Sequence, residues 1–452
     1  MNKTIMTLAL PFILGSCGIY SRYSRPELAV DVDSLYRQPA AMADTSALAS
    51  MTWQELFTDP LLQGLVATAL DRNTDLAVAR LQVEEAQAAL TNARLAYLPS
   101  VSLTPQGGIS HFNGDTKKTY SLGATASWEV ETFGQLTNAK REAKAALMES
   151  EAYAQAVQTQ LVATVAESYY ALLLLDEKLS ISRQTLENWD STIVTLTALA
   201  AAGRTNEVAV HQAQANRTAL EASILTIRQS ISETENSLCA LLKETPHPIE
   251  RGTLQEQSFP DNVGTGLPIQ MVAGRPDVRQ AEMQLAAAFY ATNAAHSAFY
   301  PSLTLSGTVG FTNSGGTVVN PGKWLTSALA QLTAPLFNRG TNIANLRIAK
   351  ARQQEALLLF EQKLLDAGNE VNDALVAWQT ADGRIALDEK QVAELQTATE
   401  KTEYLVRYTS ANYLEVLTAQ QSLLNARLTL AQDRISKIQS VIQLYHALGP
   451  AL

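Results

Sequence analysis

From Gln135 to Ala202 the chain runs 68 residues without a glycine or a proline, and apolar residues recur through it at alternating spacings of three and four. The seam is Leu161, Val165, Leu172, Leu175, Leu179, Leu186, Trp189, Ile193 and Leu196, the pattern of one continuous coiled-coil helix. At 1.5 Å per residue such a helix is roughly 100 Å long, beyond the diameter of a compact domain. Gly203 breaks it, and a second uninterrupted run from Arg204 to Thr245 carries its own seam of Leu220, Ile224, Ile227, Ile231, Leu238 and Leu241. The two runs read as an antiparallel hairpin over 135–245. A chain that spends so much of itself on a projecting hairpin is spanning a distance.

The plan occurs twice. Trp53, Phe57, Asp59, Pro60, Leu61 and Leu65 open a helical pattern that runs on to Tyr97 and stops at Pro99. Arg275, Pro276 and Asp277 open a second, which stops at Pro301; proline fits a first helical turn, and an acid there faces unpaired amides. Asp75 overlays Asp277, Pro99 overlays Pro301 and Leu103 overlays Leu305 without a gap, and Asn206 meets Asn412 after small shifts. The chain is an internal duplication. Its expected parts are a first repeat over 53–245, a Gly- and Pro-rich linker over 246–268 and a second repeat over 269–452, whose hairpin covers 340–448. The second descending helix is expected to be interrupted by Gly368 and Gly383.

After each proline come alternating segments. Val101, Leu103 and Ile109, then Tyr120, Leu122, Ala124, Ala126, Trp128 and Val130, place apolar residues on one face and Ser, Thr and Gln on the other. The strands expected are 101–112 and 119–131, joined by a polar loop from His111 to Lys118, and 302–312 and 324–336, joined by a Gly- and Asn-rich loop. Each is long enough to cross a bilayer at a tilt. Four strands alone leave unpaired edges in hydrocarbon, so closure needs other subunits, and two or three copies would both supply enough strands.

The rest of the sequence narrows the class. A net charge of −10 argues against a nucleic-acid partner. Five histidines, at 111, 211, 247, 296 and 446, stand at no catalytic spacing and no phosphate loop appears, so neither an enzyme nor a cofactor is indicated. Met148, Met271 and Met283 are isolated, unlike a soft-metal cluster. Cys239 reads as a buried small residue. Residues 1–16 form a secretory signal, and Leu14-Gly15-Ser16-Cys17 resembles a bacterial lipobox, which implies cleavage before Cys17 and lipid on it, with residues 17–52 as a polar extension.

Trp53-Gln54-Glu55-Leu56-Phe57-Thr58-Asp59-Pro60, Gly274-Arg275-Pro276-Asp277-Val278-Arg279-Gln280-Ala281-Glu282, the paired Tyr97-Leu98-Pro99-Ser100 and Phe299-Tyr300-Pro301-Ser302, and Tyr413-Leu414-Glu415-Val416-Leu417-Thr418-Ala419-Gln420 resemble TolC-like outer-membrane factors, in the OprM- and NodT-like lipoprotein branch. The resemblance covers nearly the whole mature chain. It implies a mainly α protein with membrane β: a homotrimer whose protomers each give four strands to a twelve-stranded outer-membrane barrel, continued by a periplasmic helical barrel. It also implies a lipid-anchored outer-membrane channel, without chemistry of its own, for drugs and toxic compounds. The partners implied are a periplasmic membrane-fusion adaptor and an inner-membrane pump, of the RND type.

The tips of the two hairpins are the expected gate and adaptor contact: Gly203, Arg204 and Thr205 on the first, Arg407, Tyr408, Ala411 and Asn412 on the second. Members of the family often carry Gly and Asp in the second tip. Here the turn is shorter and Ala411 stands nearest, so the seal is expected from apolar packing of Leu405, Val406 and Leu414 or from hydrogen bonds of Arg407, Tyr408 and Asn412. Two other readings remain open on the sequence: a protein-secretion duct, and a non-conducting lipid-anchored coiled-coil bridge, which the alternating strands disfavour.

Overall fold

The computed structural model describes residues 20–28, 51–257, 274–313, 323–408 and 413–449. The elements run α1 (Trp53–Leu56), α2 (Pro60–Arg72), α3 (Thr74–Leu95), β1 (Ser100–Phe112), β2 (Asp115–Val130), α4 (Gln135–Ala201) and α5 (Glu207–Leu241). The second repeat follows as α6 (Pro276–Ser297), β3 (Ser302–Thr312), β4 (Lys323–Thr333), α7 (Thr341–Tyr408) and α8 (Tyr413–Leu448). The described chain divides into two compact units: one takes 20–28, 80–153 and 279–363, the other 51–79, 154–257 with 274–278, and 364–449.

The first unit holds an antiparallel sheet in the order β1-β2-β3-β4. Its register brings the alternating residues of all four strands into common rows. Leu103 pairs Ala124, which pairs Val309; Pro105, Leu122, Phe311 and Trp324 form the next row. The opposite face aligns Ser102, Thr125, Thr308 and Ser327. Leu325 and Leu329 fall on that polar face, so β4 separates its faces less cleanly than β2 does. The polypeptide after β2 is fastened by Glu131, whose carboxylate accepts from the amides of Gly134 and Thr137, and by Phe133 stacked on Tyr300 at 5.0 Å.

The second unit packs α1, α2 and α8 around the middle of α4. Leu56, Phe57, Leu62, Val66, Leu172, Leu173, Ile442 and Tyr445 are among its fully buried residues. Tyr169 and Tyr170, adjacent on α4, are both buried, because this stretch is surrounded by helices rather than packed along a single seam. Further along, Trp189, Leu196, Leu220, Leu417 and Leu424 form a second core where the two hairpins meet.

Several expectations need correction. The polar loop from His111 to Lys118 does not exist: β1 and β2 continue to Phe112 and from Asp115, joined only by Asn113 and Gly114 at φ 51° and 86°. Two residues with positive φ make the tight turn whose twist matches antiparallel strands, and Asn-Gly is the pair that adopts it at least cost. The last strand ends at Thr333, not 336, and Leu336 and Phe337 lie beyond it.

The opening helix is three helices. Asp59 caps α2 by accepting from the Leu61 amide at 2.9 Å, and Asn73 breaks the chain before α3, its side chain accepting from Leu76 and donating to the Leu241 carbonyl. Gly368 and Gly383 do not interrupt α7; a glycine costs a helix about 1 kcal/mol, which packing offsets. Part of the expected linker is core, since Ile249 and Leu254 are buried; residues 258–273 lie outside the described ones.

The register generates a test. Ala124→Arg puts a charge on the apolar face near the middle of the strand, which costs about 2–4 kcal/mol near a bilayer midplane, whereas Thr125→Arg puts it on the polar face. The first is expected to block membrane assembly and the second to assemble with altered conductance. Heat-modifiable mobility on gels, and planar-bilayer recording, would tell them apart.

Candidate functional site

The first tip is built by local capping. Gly203, at φ 70°, takes the left-handed conformation that ends α4, and the Arg204 amide donates back to the Leu199 carbonyl at 2.9 Å, satisfying carbonyls that a helix end leaves open. Asn206 then caps α5, its side chain accepting from the Ala209 amide at 3.2 Å. Gly203 and Arg204 are exposed and Thr205 is half-buried.

At the second tip, Ala411, Asn412 and the side chain of Arg407 lie outside the described residues. Tyr408 is exposed and its ring lies 4.6 Å from that of Tyr404, one turn earlier on α7. Of the apolar residues expected in the seal, Val406 is buried within its own chain, while Leu405 and Leu414 are exposed. Tyr404 went unnoticed in the sequence, although its spacing of four from Tyr408 places both on one helix face. Behind the tips the hairpins are tied together by Gln420, which is buried and donates to Thr192 of α4 at 2.8 Å and to Glu403 of α7 at 2.9 Å.

The family-motif residues gather in the second unit as two clamps. Asp59, besides capping α2, accepts hydrogen bonds from the Tyr169 hydroxyl and from Gln257. Burial first, and then that bond to Asp59, hold the Tyr169 hydroxyl well above the usual phenol range. Trp53 is buried beside them in the core and Pro60 opens α2.

Arg275, 2% exposed, donates twice to Asp277, once to Glu370 and once to the Ala447 carbonyl. Burial alone would lower its pKa; Asp277 and Glu370 outweigh that and raise it. Pro276 opens α6 and Asp277 also accepts from the Val278 amide. A third clamp, Arg251 with Asp176 and Glu235, has no sequence signal, because its members are 75 and 16 residues apart.

Cys17 lies outside the described residues, but the segment that follows it is fastened to the first unit. Tyr20 donates to the Thr132 carbonyl just beyond β2, Arg141 donates to the carbonyls of Tyr20 and Ser21, and Arg25 pairs in two bonds with Glu282. Among the described residues no group of His, Cys, Asp and Glu could hold a metal ion, and no helix is long and apolar enough to cross a membrane.

Comparison with known proteins accounts for this arrangement. The family model for "Outer membrane efflux protein" matches residues 65–243 and 267–450, one match per repeat. The cation efflux system protein CusC of Escherichia coli is 29% identical, over 98% of each chain, and a solved CusC structure superposes with a TM-score of 0.84, covering 95% of this chain and 99% of that one. The probable outer membrane lipoprotein SilC of Salmonella typhimurium is 29% identical over 98% of each. The toluene efflux pump outer membrane protein TtgC of Pseudomonas putida is 29% identical over 99% of this chain and 96% of its own.

The chain belongs to the outer membrane efflux protein family. It has the TolC-like trimeric channel fold, resides in the outer membrane with a periplasmic extension, and is the outer-membrane channel component of a tripartite efflux system. Channels of this family work with an adaptor and an inner-membrane pump.

One ionisable pair gives the helices of the second hairpin a pH dependence. Asp388 of α7 lies against Asp433 of α8, to which Arg384 donates at 2.9 Å. The hydrogen bond shared with Asp433, then burial and the like charge, raise the Asp388 pKa, and Arg384 offsets this only in part. A carboxyl whose folded value lies above its unfolded one costs stability at neutral pH, and the cost vanishes as pH falls through the raised value. Asp388→Asn is therefore expected to raise the Tm at pH 8, with a gain that shrinks toward pH 4. Equal gains at both would mean that the pair is not electrostatically strained.

Proposed function

We propose that this protein is a passive, lipid-anchored exit duct for small toxic molecules, gated at the tips of its hairpins and coupled there to a membrane-fusion adaptor and a pump of the RND type. It does no chemistry on its cargo. The observation that carries the gate is the exposed stripe of Tyr404, Leu405 and Tyr408 at the end of α7. Apolar and aromatic side chains concentrated at a helix end are suited to contacts that one partner can exchange for another. The relatives support a channel that leaves selection to its pump: one is named for cations and another for toluene, at the same 29% identity.

Lipid on Cys17 is supported by the fixing of Tyr20 beside the inner end of β2, since an acyl chain attached three residues earlier has a short path to the membrane. SilC, named a lipoprotein, aligns over 98% of this chain.

Two experiments test these proposals. Replacing Arg407 and Tyr408 together by alanine is expected to raise single-channel conductance, and disulfides between neighbouring tips to abolish efflux at normal trimer yield. Unchanged conductance with efflux through bridged tips would move the gate elsewhere. Mass spectrometry of the mature N-terminus is expected to find lipid on Cys17; an unmodified Cys17 would refute the anchor, and Cys17→Ala is expected to impair anchoring more than folding.

A further inference from the structure

The apolar face of the sheet does not end at its aromatic residues. Followed outward along β2, away from the end that joins the helices, it reads Leu122, Tyr120, Lys118 and Thr116. The register sets Pro105, Phe311 and Trp324 in the row of Leu122, Gly107 opposite Tyr120, Ile109 opposite Lys118 and His111 opposite Thr116. Phe311 and Trp324 stand 4.4 Å apart, centroid to centroid, and Trp324 is largely exposed. Trp128, toward the helices, marks the other end, its indole donating to the Tyr97 carbonyl at 2.9 Å.

From Tyr120 to Val130 the face is about 33 Å of strand at 3.3 Å per residue, or about 25 Å of height at a tilt of about 40°. That is the height of a lipid-facing band between its aromatic girdles. Lys118 is one row beyond Tyr120, about 5 Å higher on the same geometry. It is exposed, its ammonium forms no ion pair among the described residues, and its backbone is held in register by Asn313, whose amide donates to the Lys118 carbonyl at 2.9 Å. His111 and Thr116, hydrogen-bonded to each other at 2.8 Å, occupy the next row on the same face. Lys117 belongs to the opposite face, where it pairs Ser110.

A cation standing just above an aromatic girdle on the lipid side meets headgroups, not water alone. The turn at Asn113 and Gly114 lies at the end of the sheet away from the periplasmic helices, so these headgroups belong to the outer leaflet. We propose that Lys118, supported by His111 and Thr116, binds a phosphate of the phosphorylated glycolipid of that leaflet, lipid A, on the outside of the barrel. The site recurs once per subunit around the trimer. Charge complementarity selects the occupant: lipid A presents phosphates at the boundary of its acyl region, at the level where the apolar rows stop and the lysine begins.

Native mass measurement of the detergent-extracted trimer, with lipid A added, tests this. Bisphosphorylated lipid A is expected to be retained and dephosphorylated lipid A is not. Lys118→Gln is expected to weaken retention about fivefold, the effect of one surface cation facing an anionic lipid, and Lys118→Glu further. Lys117→Glu, adjacent in sequence but on the lumen side, is expected to retain the lipid like the wild type. Equal retention of the two lipids by the unmodified protein, or equal losses in the Lys117 and Lys118 variants, would overturn the site. Efflux conductance is expected to be unchanged by Lys118→Gln, which separates this proposal from that of the tip gate.

Discussion

Backbone amides that have no water to bond with set the terms for this molecule. In hydrocarbon each unpaired amide or carbonyl costs several kcal/mol, and a four-stranded sheet offers two rows of them, on β1 and on β4. Both edge strands are exposed along their whole length, and Val101, Leu103 and Leu332 present apolar side chains there to a surrounding that is not water. A single copy of this fold is therefore an incomplete object, and the trimeric channel is the solution in which no edge remains. The hairpin turn at Asn113 and Gly114 follows from the same demand, since every residue it saves is one fewer unpaired group near the membrane.

The second unit solves a different problem, which is how to hold helices that arrive from distant parts of the sequence. Its core is apolar, but its corners are charged clamps that each join several segments. Arg275 binds its own helix through Asp277, α7 through Glu370 and the end of α8 through the Ala447 carbonyl. Arg251 joins the segment after α5 to α4 and α5. Burying a guanidinium is costly unless its donors are satisfied, and a fork of five donors can satisfy several partners at fixed angles. These clamps define position more than they add stability, which suits a place where helices from distant parts of the chain converge.

Sequence periodicity carried the helices and strands because both depend on repeats within one segment. The seam from Leu161 to Leu196 and the alternation from Tyr120 to Val130 are local patterns, and the duplication doubled their weight. What escaped were features fixed by a partner far along the chain. Asn73 caps α3 through the Leu76 amide, but its side chain is fixed there by a second bond to the Leu241 carbonyl, and nothing near Asn73 announces that partner. Gly368 and Gly383 look like breaks when only propensity is weighed, yet the buried Phe360, Leu364, Val371 and Ala381 hold α7 straight through them. At the tip, the four-residue spacing of Tyr404 and Tyr408 was a readable sign; that both rings are exposed was not.

The two repeats share a plan, but their descending helices face different surroundings. Among the described residues α4 exposes only Tyr153 and Val194 of its large apolar side chains, whereas α7 exposes Ile343, Ile348, Leu358, Leu359, Val376 and Leu387 in addition to the residues at its tip. Apolar surface of that extent, running along one helix, is unfavourable in water and belongs against another chain. In a closed ring of helices each protomer must offer its neighbour such a surface, and the duplicated sequence has assigned it to the second repeat. The glycines of α7 fit this role, because a position without a side chain lets a neighbouring helix come close. The cost to the isolated helix and the gain in the assembled one then have the same origin.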